Sequence, residues 1–280
     1  MSSLWGRKYE AVMGHTVFKN EAFTINFDVP FDDGSDPNIS EIEVYNLSDS
    51  TINQVEEGAV VYVNAGYQSD VGTILTGTLC NVSTDWSGTD KITTFYVRDA
   101  NDNWMEKWVE KTYAENITGK QVLSDLISMS GLQIGSFDLP VNTVYKSAKT
   151  VKTMLGQAII EVARDCSAKV HVNKGSIFIR DRIRDKNRGN EVGFILDKDH
   201  GLIGTPSPII TSYDVGIDEN RRTINRAGFK VLSLLHHRVT TDSVIQIKSK
   251  TANGLFRVEK GKHKANGNTY YTEMEVYSLL

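Results

Sequence analysis

Phe23-Thr24-Ile25-Asn26-Phe27-Asp28-Val29 alternates apolar and polar side chains at every step, the period of an extended strand with one face buried and the other in water. Pro30 is expected to end that strand. The turn formers of FDDGSDPN (31–38) then separate it from a second alternating run, Ile39, Ile42, Val44 and Leu47. Further strands are predicted over residues 60–65, 72–82 and 91–98, parted by NAGYQSD and DWSGTD. Several short strands at near-regular spacing make the first third a small barrel or sandwich.

Outward from there the period changes. Thr118 reads as the N-cap of GKQVLSDLISMS (119–130), with Val122, Leu123, Leu126, Ile127 and Met129 on one stripe and Gly131 where a C-terminal glycine belongs. In TVKTMLGQAIIEVARDCSA (150–168), Val151, Met154, Leu155, Ala158, Ile159, Val162, Ala163 and Cys166 recur at helical spacing, which predicts an amphipathic helix of about four turns. Asp165 lies off that stripe and is expected to tolerate amidation. KVHV and SIFIRD around NKG (173–175) form a hairpin, because Asn and Gly favour the positive φ of a tight turn. The polar run RIRDKNRGN (182–190) and the Gly/Pro/Ser stretch at 201–208 mark a surface connection and a boundary. Beyond them FKVLSLL, VIQIKS, LFRVEK and TYYTEMEVYSL alternate again, the last two joined by a tip, GKHKANGN (261–268). The chain thus reads as mainly β with an α+β centre: two small β-barrel domains, 1–113 and 182–280, joined by an α/β part at 114–181.

At 280 residues and 31.2 kDa, with 40% hydrophobic and 24% charged residues, the chain has ordinary globular proportions, which exclude disorder and collagen. No apolar run approaches the roughly 18 residues of a membrane span, and the amino terminus lacks a secretory h-region, so a soluble protein made in the cytoplasm is expected. The net charge of −4 conceals a division. Residues 1–145 hold 8 Lys and Arg against 21 Asp and Glu, net −13, and residues 146–280 hold 23 against 14, net +9. Such a division suits nucleic-acid binding by the basic half, or an acidic surface built to meet a basic one in an assembly.

No residue set is selected for catalysis, cofactor binding or metal binding. Neither GxxxxGK[ST] nor GxGxxG occurs in a phosphate-binding context. His15, His171, His200, His236, His237 and His263 show no paired ligand spacing, and Cys80 and Cys166 are too few for a thiolate zinc site. Asp28, Asp32, Asp33 and Asp36 lack the calcium-loop pattern and read as a solvated turn. Cys166 falls on an apolar stripe, where burial makes a thiol inert. Arg180, Arg182, Arg184, Lys186 and Arg188 alternate as a positive row with no interleaved aromatics, so a solvated loop is favoured over a nucleic-acid groove. Trp86, Trp104 and Trp108 are either core or anchors of a partner surface.

Residues 41–48 (EIEVYNLS), 65–67 (AGY) and 72–77 (GTILTG) resemble the first β domain of the baseplate hub proteins of contractile and related phage tails, the gp27-like and late-control-D-like group that includes tail-like bacteriocins. The centre, 112–127 and 151–179, is similar to the same family. So is the closing hairpin with GLFRV (254–258), His263 and YYTEMEV (270–276), although Tyr270 and Tyr271 stand where the family is rich in Trp. The resemblance implies a structural protein of the virion tail, assembled in the bacterial host cytoplasm, with neither enzymatic activity nor cofactor. It implies a homotrimer whose six barrels form a ring joining a six-fold tail tube to a three-fold spike or fibre. The implied partners are the tail tube or distal tail protein, the spike or fibre and a tape measure protein, with no membrane and no specific nucleic acid. Two rivals rest on the residues alone: a cell-wall hydrolase using a pair among the 35 acids, and a nucleic-acid-binding module using the basic half.

Overall fold

The computed structural model describes residues 5–34, 36–99, 104, 106–181, 193–215 and 222–278, and their side chains except at 211–226. Along the chain run β1 (Arg7–Met13), β2 (Thr16–Lys19), β3 (Ile25–Phe31), β4 (Ile39–Tyr45), α1 (Asp49–Ile52), β5 (Val60–Tyr67), β6 (Asp70–Ser87) and β7 (Asp90–Arg98). The centre holds β8 (Trp108–Tyr113), α2 (Gly119–Ser130), β9 (Gln133–Phe137), β10 (Lys149–Met154), α3 (Leu155–Asp165), β11 (Ala168–Asn173) and β12 (Ser176–Asp181). Last come β13 (Phe194–Leu196), β14 (Leu202–Val215), β15 (Arg222–Leu234), β16 (Val244–Lys248), β17 (Asn253–Asn266) and β18 (Thr269–Ser278). The protein is mainly β with an α+β centre. Contacts divide it into two compact units, one of residues 1–32, 38–98 and 186–280, the other of 33–37 and 99–185.

The larger unit is one sheet in the order β14-β15-β18-β17-β3-β4-β7-β6-β5-β1-β2, with β16 on β17 and β13 on β16; it is not closed as a single barrel. Strand β17 joins its two ends. Residues 253–257 pair with β16, and after a bulge between Val258 and Lys260, residues 261–265 pair with β3. Gly261 sits at that switch, where an added Cβ would meet the Glu273 carbonyl at 2.3 Å and the Phe31 ring at 2.7 Å; only glycine permits the approach. Alternation sets the inward faces as the sequence predicts: Ile25, Phe27, Val29 and Phe31 of β3 are all buried. Ile25, Phe27 and Val29 join one core with Ile42, Val63, Phe95 and the distant Ala265 and Tyr270. Phe31 belongs to a second core with Ile245, Val258 and Met274.

The smaller unit packs α2 and α3 against strands in a third core that includes Leu123, Leu126, Ile159, Val162, Ile177 and Ile179. Its strands form the pair β8–β10 and the sheet β11-β12-β9, in which β9 and β12 run parallel. The α2 ends are as read: the Thr118 side chain accepts from the Gln121 N–H, Gln121 returns a contact to the Thr118 N–H, and Gly131 is left-handed.

Five local expectations are corrected. Pro30 does not end β3, which runs to Phe31; β4 stops pairing at Asp28, so the proline stands where one side of the ladder has ended. Residues 149–154 form a strand rather than a helical turn, because β-branched Thr150, Val151 and Thr153 pair with β8; the helix starts at Leu155. Residues 261–266 belong to β17, and the tip shrinks to Gly267 and Asn268. Leu202 onward is strand rather than connection, with an irregularity between Ile203 and Ser207 absorbing the Gly/Pro stretch. In the NKG hairpin the positive φ falls on Lys174 and Gly175, while Asn173 remains paired. Strands β1 and β2 were not foreseen, although Tyr9, Ala11 and Met13 alternate ahead of Gly14.

Candidate functional site

The acids, histidines and cysteines weighed in the sequence lie apart in the structure. Asp28 faces Lys262 at 3.0 Å and Lys264 at 3.3 Å, whereas Asp33 meets Lys169 at 2.6 Å in the smaller unit. His15 is exposed in the β1–β2 turn, His171 is buried and stacked on Phe178, and His200 lies 2.6 Å from Asp197. His263 is buried beside Thr272. His236 stacks on Phe194, and its burial pushes the imidazole down to about 4; His237 lies 3.7 Å from Asp70. Among the described residues no three His, Cys, Asp or Glu side chains converge as a metal site. Cys166 is fully buried at the end of α3, and Cys80 donates to the Tyr96 carbonyl. Of the basic row, Arg180 is buried near Asp33, and residues 182–188 lie outside the described residues.

Asp33 gives a measurable consequence. Burial alone would push its carboxyl up, but Lys169 and then Arg180 outweigh that and hold it below the ordinary carboxylate value. A group depressed in the folded state stabilises fully above the unfolded value and loses that contribution as pH falls through the folded one. Asp33→Asn is therefore expected to cost about 2 kcal/mol at pH 7. The gap from wild type should narrow as the pH falls below the ordinary carboxylate value of about 4. Thermal unfolding at pH 7 and in that lower range checks this; equal melting temperatures at pH 7 would show that the carboxylate holds nothing.

The charge division is partly neutralised within the chain. On the outer face of the sheet, Lys260, Lys262 and Lys264 of β17 stand between Glu273 and Glu275 of β18 on one side and Asp28 of β3 on the other. Lys230–Glu273 (2.6 Å), Lys260–Glu275 (3.1 Å) and the Asp28 pairs knit four strands. Arg238 grips Asp70 through both guanidinium nitrogens at 2.9 and 2.5 Å. Of these pairs, those of Asp28 with Lys262 and Lys264 and of Asp70 with Arg238 join the acidic half to the basic one, whereas Lys230–Glu273 and Lys260–Glu275 lie within the basic half.

The tryptophans separate clearly. Trp104 is 2% exposed and belongs to the core of the smaller unit. Trp108 is 54% exposed beside its cross-strand neighbour Met154. Trp86, 70% exposed, stands at the tip of the β6–β7 hairpin. That hairpin outruns its neighbours: β5 pairs with β6 only as far as Thr78, and β4 pairs with β7 only as far as Ile92. Residues 84–90 are exposed throughout. The tip is nonetheless held. Gly88 supplies the positive φ of the tight turn, and Asn46, itself left-handed, accepts from the Lys91 N–H at 2.9 Å and donates to Asp90 at 3.1 Å. Lys91 is taken by Asp49, while Asp85 has no ion pair among the described residues. The site this chain offers is an exposed acidic and aromatic projection braced by Asn46.

No family model matches the chain, and no curated protein does. Solved structures do. The tail protein from Neisseria meningitidis MC58 matches with a TM-score of 0.68 at 8% identity, over 98% of this chain and 97% of that one. The 43 kDa tail protein of prophage MuSo2 from Shewanella oneidensis gives 0.64 at 8% identity, over 96% and 97%. An Escherichia coli component of the type VI secretion system, with structural similarity to the T4 bacteriophage tail proteins gp27 and gp5, gives 0.59 at 9% identity, over 92% and 75%. The family resemblance carried by residues 41–48 and the closing hairpin therefore holds at the level of the fold.

Proposed function

We propose that this chain, which has the fold of phage tail proteins, is a structural, non-enzymatic tail component: the hub at the distal end of a phage tail or tail-like bacteriocin. Three copies form a ring that joins a six-fold tail tube to a three-fold spike or fibre. Its partners are the tube or distal tail protein, the spike or fibre and the tape measure protein, and its place is the virion tail, assembled in the host cytoplasm. Each chain contributes two barrel domains, 1–113 and 182–280, flanking the α/β part at 114–181. The observation that carries this reading is the end-to-end likeness of fold, 98% of this chain on 97% of a tail protein. The dispersal of the titratable residues into ion pairs and cores is in keeping with it. Native mass measurement tests it: three copies of the 31.2 kDa chain are expected in one particle, either alone or in a complex with the tube and spike partners. A monomer under both conditions, or wall lysis abolished by one Asp or Glu substitution, would overturn it.

A further inference from the structure

A large exposed indole at the end of a hairpin braced from behind is the kind of side chain enriched at interface hot spots. Trp86 is such a group, and its neighbours set the chemistry of whatever covers it. Asp85 and Asp90 are acidic, and the Lys91 ammonium is already held by Asp49, so the tip presents an aromatic face with negative flanks. It fits an apolar spot bordered by cations.

The basic half of the same chain carries such a spot. Lys248 ends β16, and Lys250 follows in the turn to β17; both are exposed, and neither has an ion pair among the described residues. Ile195 of β13, 37% exposed, stands opposite Gln246, two residues before Lys248, so Ile195, Gln246 and Lys248 share one face. Of the nearby acids, Asp199 is paired with Lys198, and Asp197 is hydrogen-bonded to the His200 ring and to the Asp199 and His200 amides. We infer that the β6–β7 tip of one copy docks on the Ile195, Lys248 and Lys250 surface of the next. The occupant of that surface is a second copy, because the knob and the opposite-signed spot are distinct patches of one chain. Such a contact is heterologous and closes into a ring or runs on as a filament. The tip is held by Asn46 before contact, so little conformational entropy is lost on docking. The inference rests on the ring reading above and names the side chains that join its members.

Sedimentation of the full chain from micromolar to several hundred micromolar concentration tests it. Trp86→Ala is expected to weaken self-association by about tenfold or more. Melting should be nearly unchanged in that variant, since the side chain is 70% exposed and belongs to none of the three cores. Asp85→Lys and Lys248→Glu should each weaken it several-fold, and the two together should recover most of the loss. Wild-type association should also weaken as salt rises from about 50 to about 500 mM. Association unmoved by Trp86→Ala, or charge reversals without recovery, would overturn the docking while leaving the ring reading intact. A wild-type chain that stays monomeric throughout would overturn the docking, while the ring reading is decided separately by the mass measured with its tube and spike partners.

Discussion

Tyr270→Ala should destabilise the first β half of the chain by about 3–5 kcal/mol, although the residue belongs to the last hairpin. Tyr270 projects from β18 into the core built by β1, β3 and β5, where its ring lies 5.5 Å from Tyr9, 5.3 Å from Tyr67 and 6.4 Å from Phe27. Its hydroxyl accepts from the Gly66 N–H at 2.7 Å and lies 2.9 Å from the Gly66 carbonyl and 3.2 Å from that of Lys8. Burial pushes the phenol well above its ordinary value and keeps its proton in place. Tyr270→Phe removes only the hydroxyl and should cost about 1–2 kcal/mol, mostly from the Gly66 amide left unpaired. The measurement is chemical unfolding together with hydrogen exchange on β1 and β5, whose amides should lose protection in the alanine variant. A chain ended before Asn253 should fail at the same place, since it also lacks Ala265 and the β17 partner of β3. Protection of β1 and β5 unchanged by Tyr270→Ala would show that the first core stands without its C-terminal strut.

The second large effect lies in the smaller unit. Ile159 is fully buried at the middle of α3, in a core with Leu155, Val162, Leu126 and Ile177. Ile159→Asp places a carboxylate there without a partner, at a cost of roughly 4 kcal/mol or more, enough to unfold or aggregate that unit. The comparison belongs on the exposed face of the same helix. Glu161→Gln should stay within about 0.5 kcal/mol of wild type. Asp165 is a poorer comparison than its position off the stripe suggests, because it accepts from the Tyr145 hydroxyl at 2.7 Å and pairs with Lys149 at 2.9 Å. Asp165→Asn is therefore expected to cost on the order of 1 kcal/mol rather than nothing. Equal melting temperatures for Ile159→Asp and Glu161→Gln would mean that the buried face of α3 has been misassigned.

Periodicity alone was sufficient for the inward face of β3, for Ile42 and Val44 of β4 though not for Ile39, which is exposed while Ser40 is buried, for α2 with its Thr118 and Gly131 ends, and for the buried stripe from Leu155 to Cys166. Each of these reports which side of a segment leaves water, a property that neighbouring residues fix locally. The same signal is silent on partners. Helical spacing continued back through Val151, yet pairing with β8 won those residues for a strand, because a residue's apolar face can be buried by either period. Charge counts showed two opposed halves, but whether those charges meet within the chain depended on a register placing Lys262 beside Asp28, 234 residues away. Three tryptophans close in sequence could be core or anchor. Only the packing of Trp104 against α3 and the overhang of β6 and β7 beyond their neighbours separated them. The sequence by itself determined α2, the body of α3 and most of the strands, though not, among others, β1, β2, β10 or the start of β14. The tertiary structure decided which ends of the chain share a core, which charges are already paired and which aromatic group stands in water, because these are set by contacts between residues that no local pattern connects.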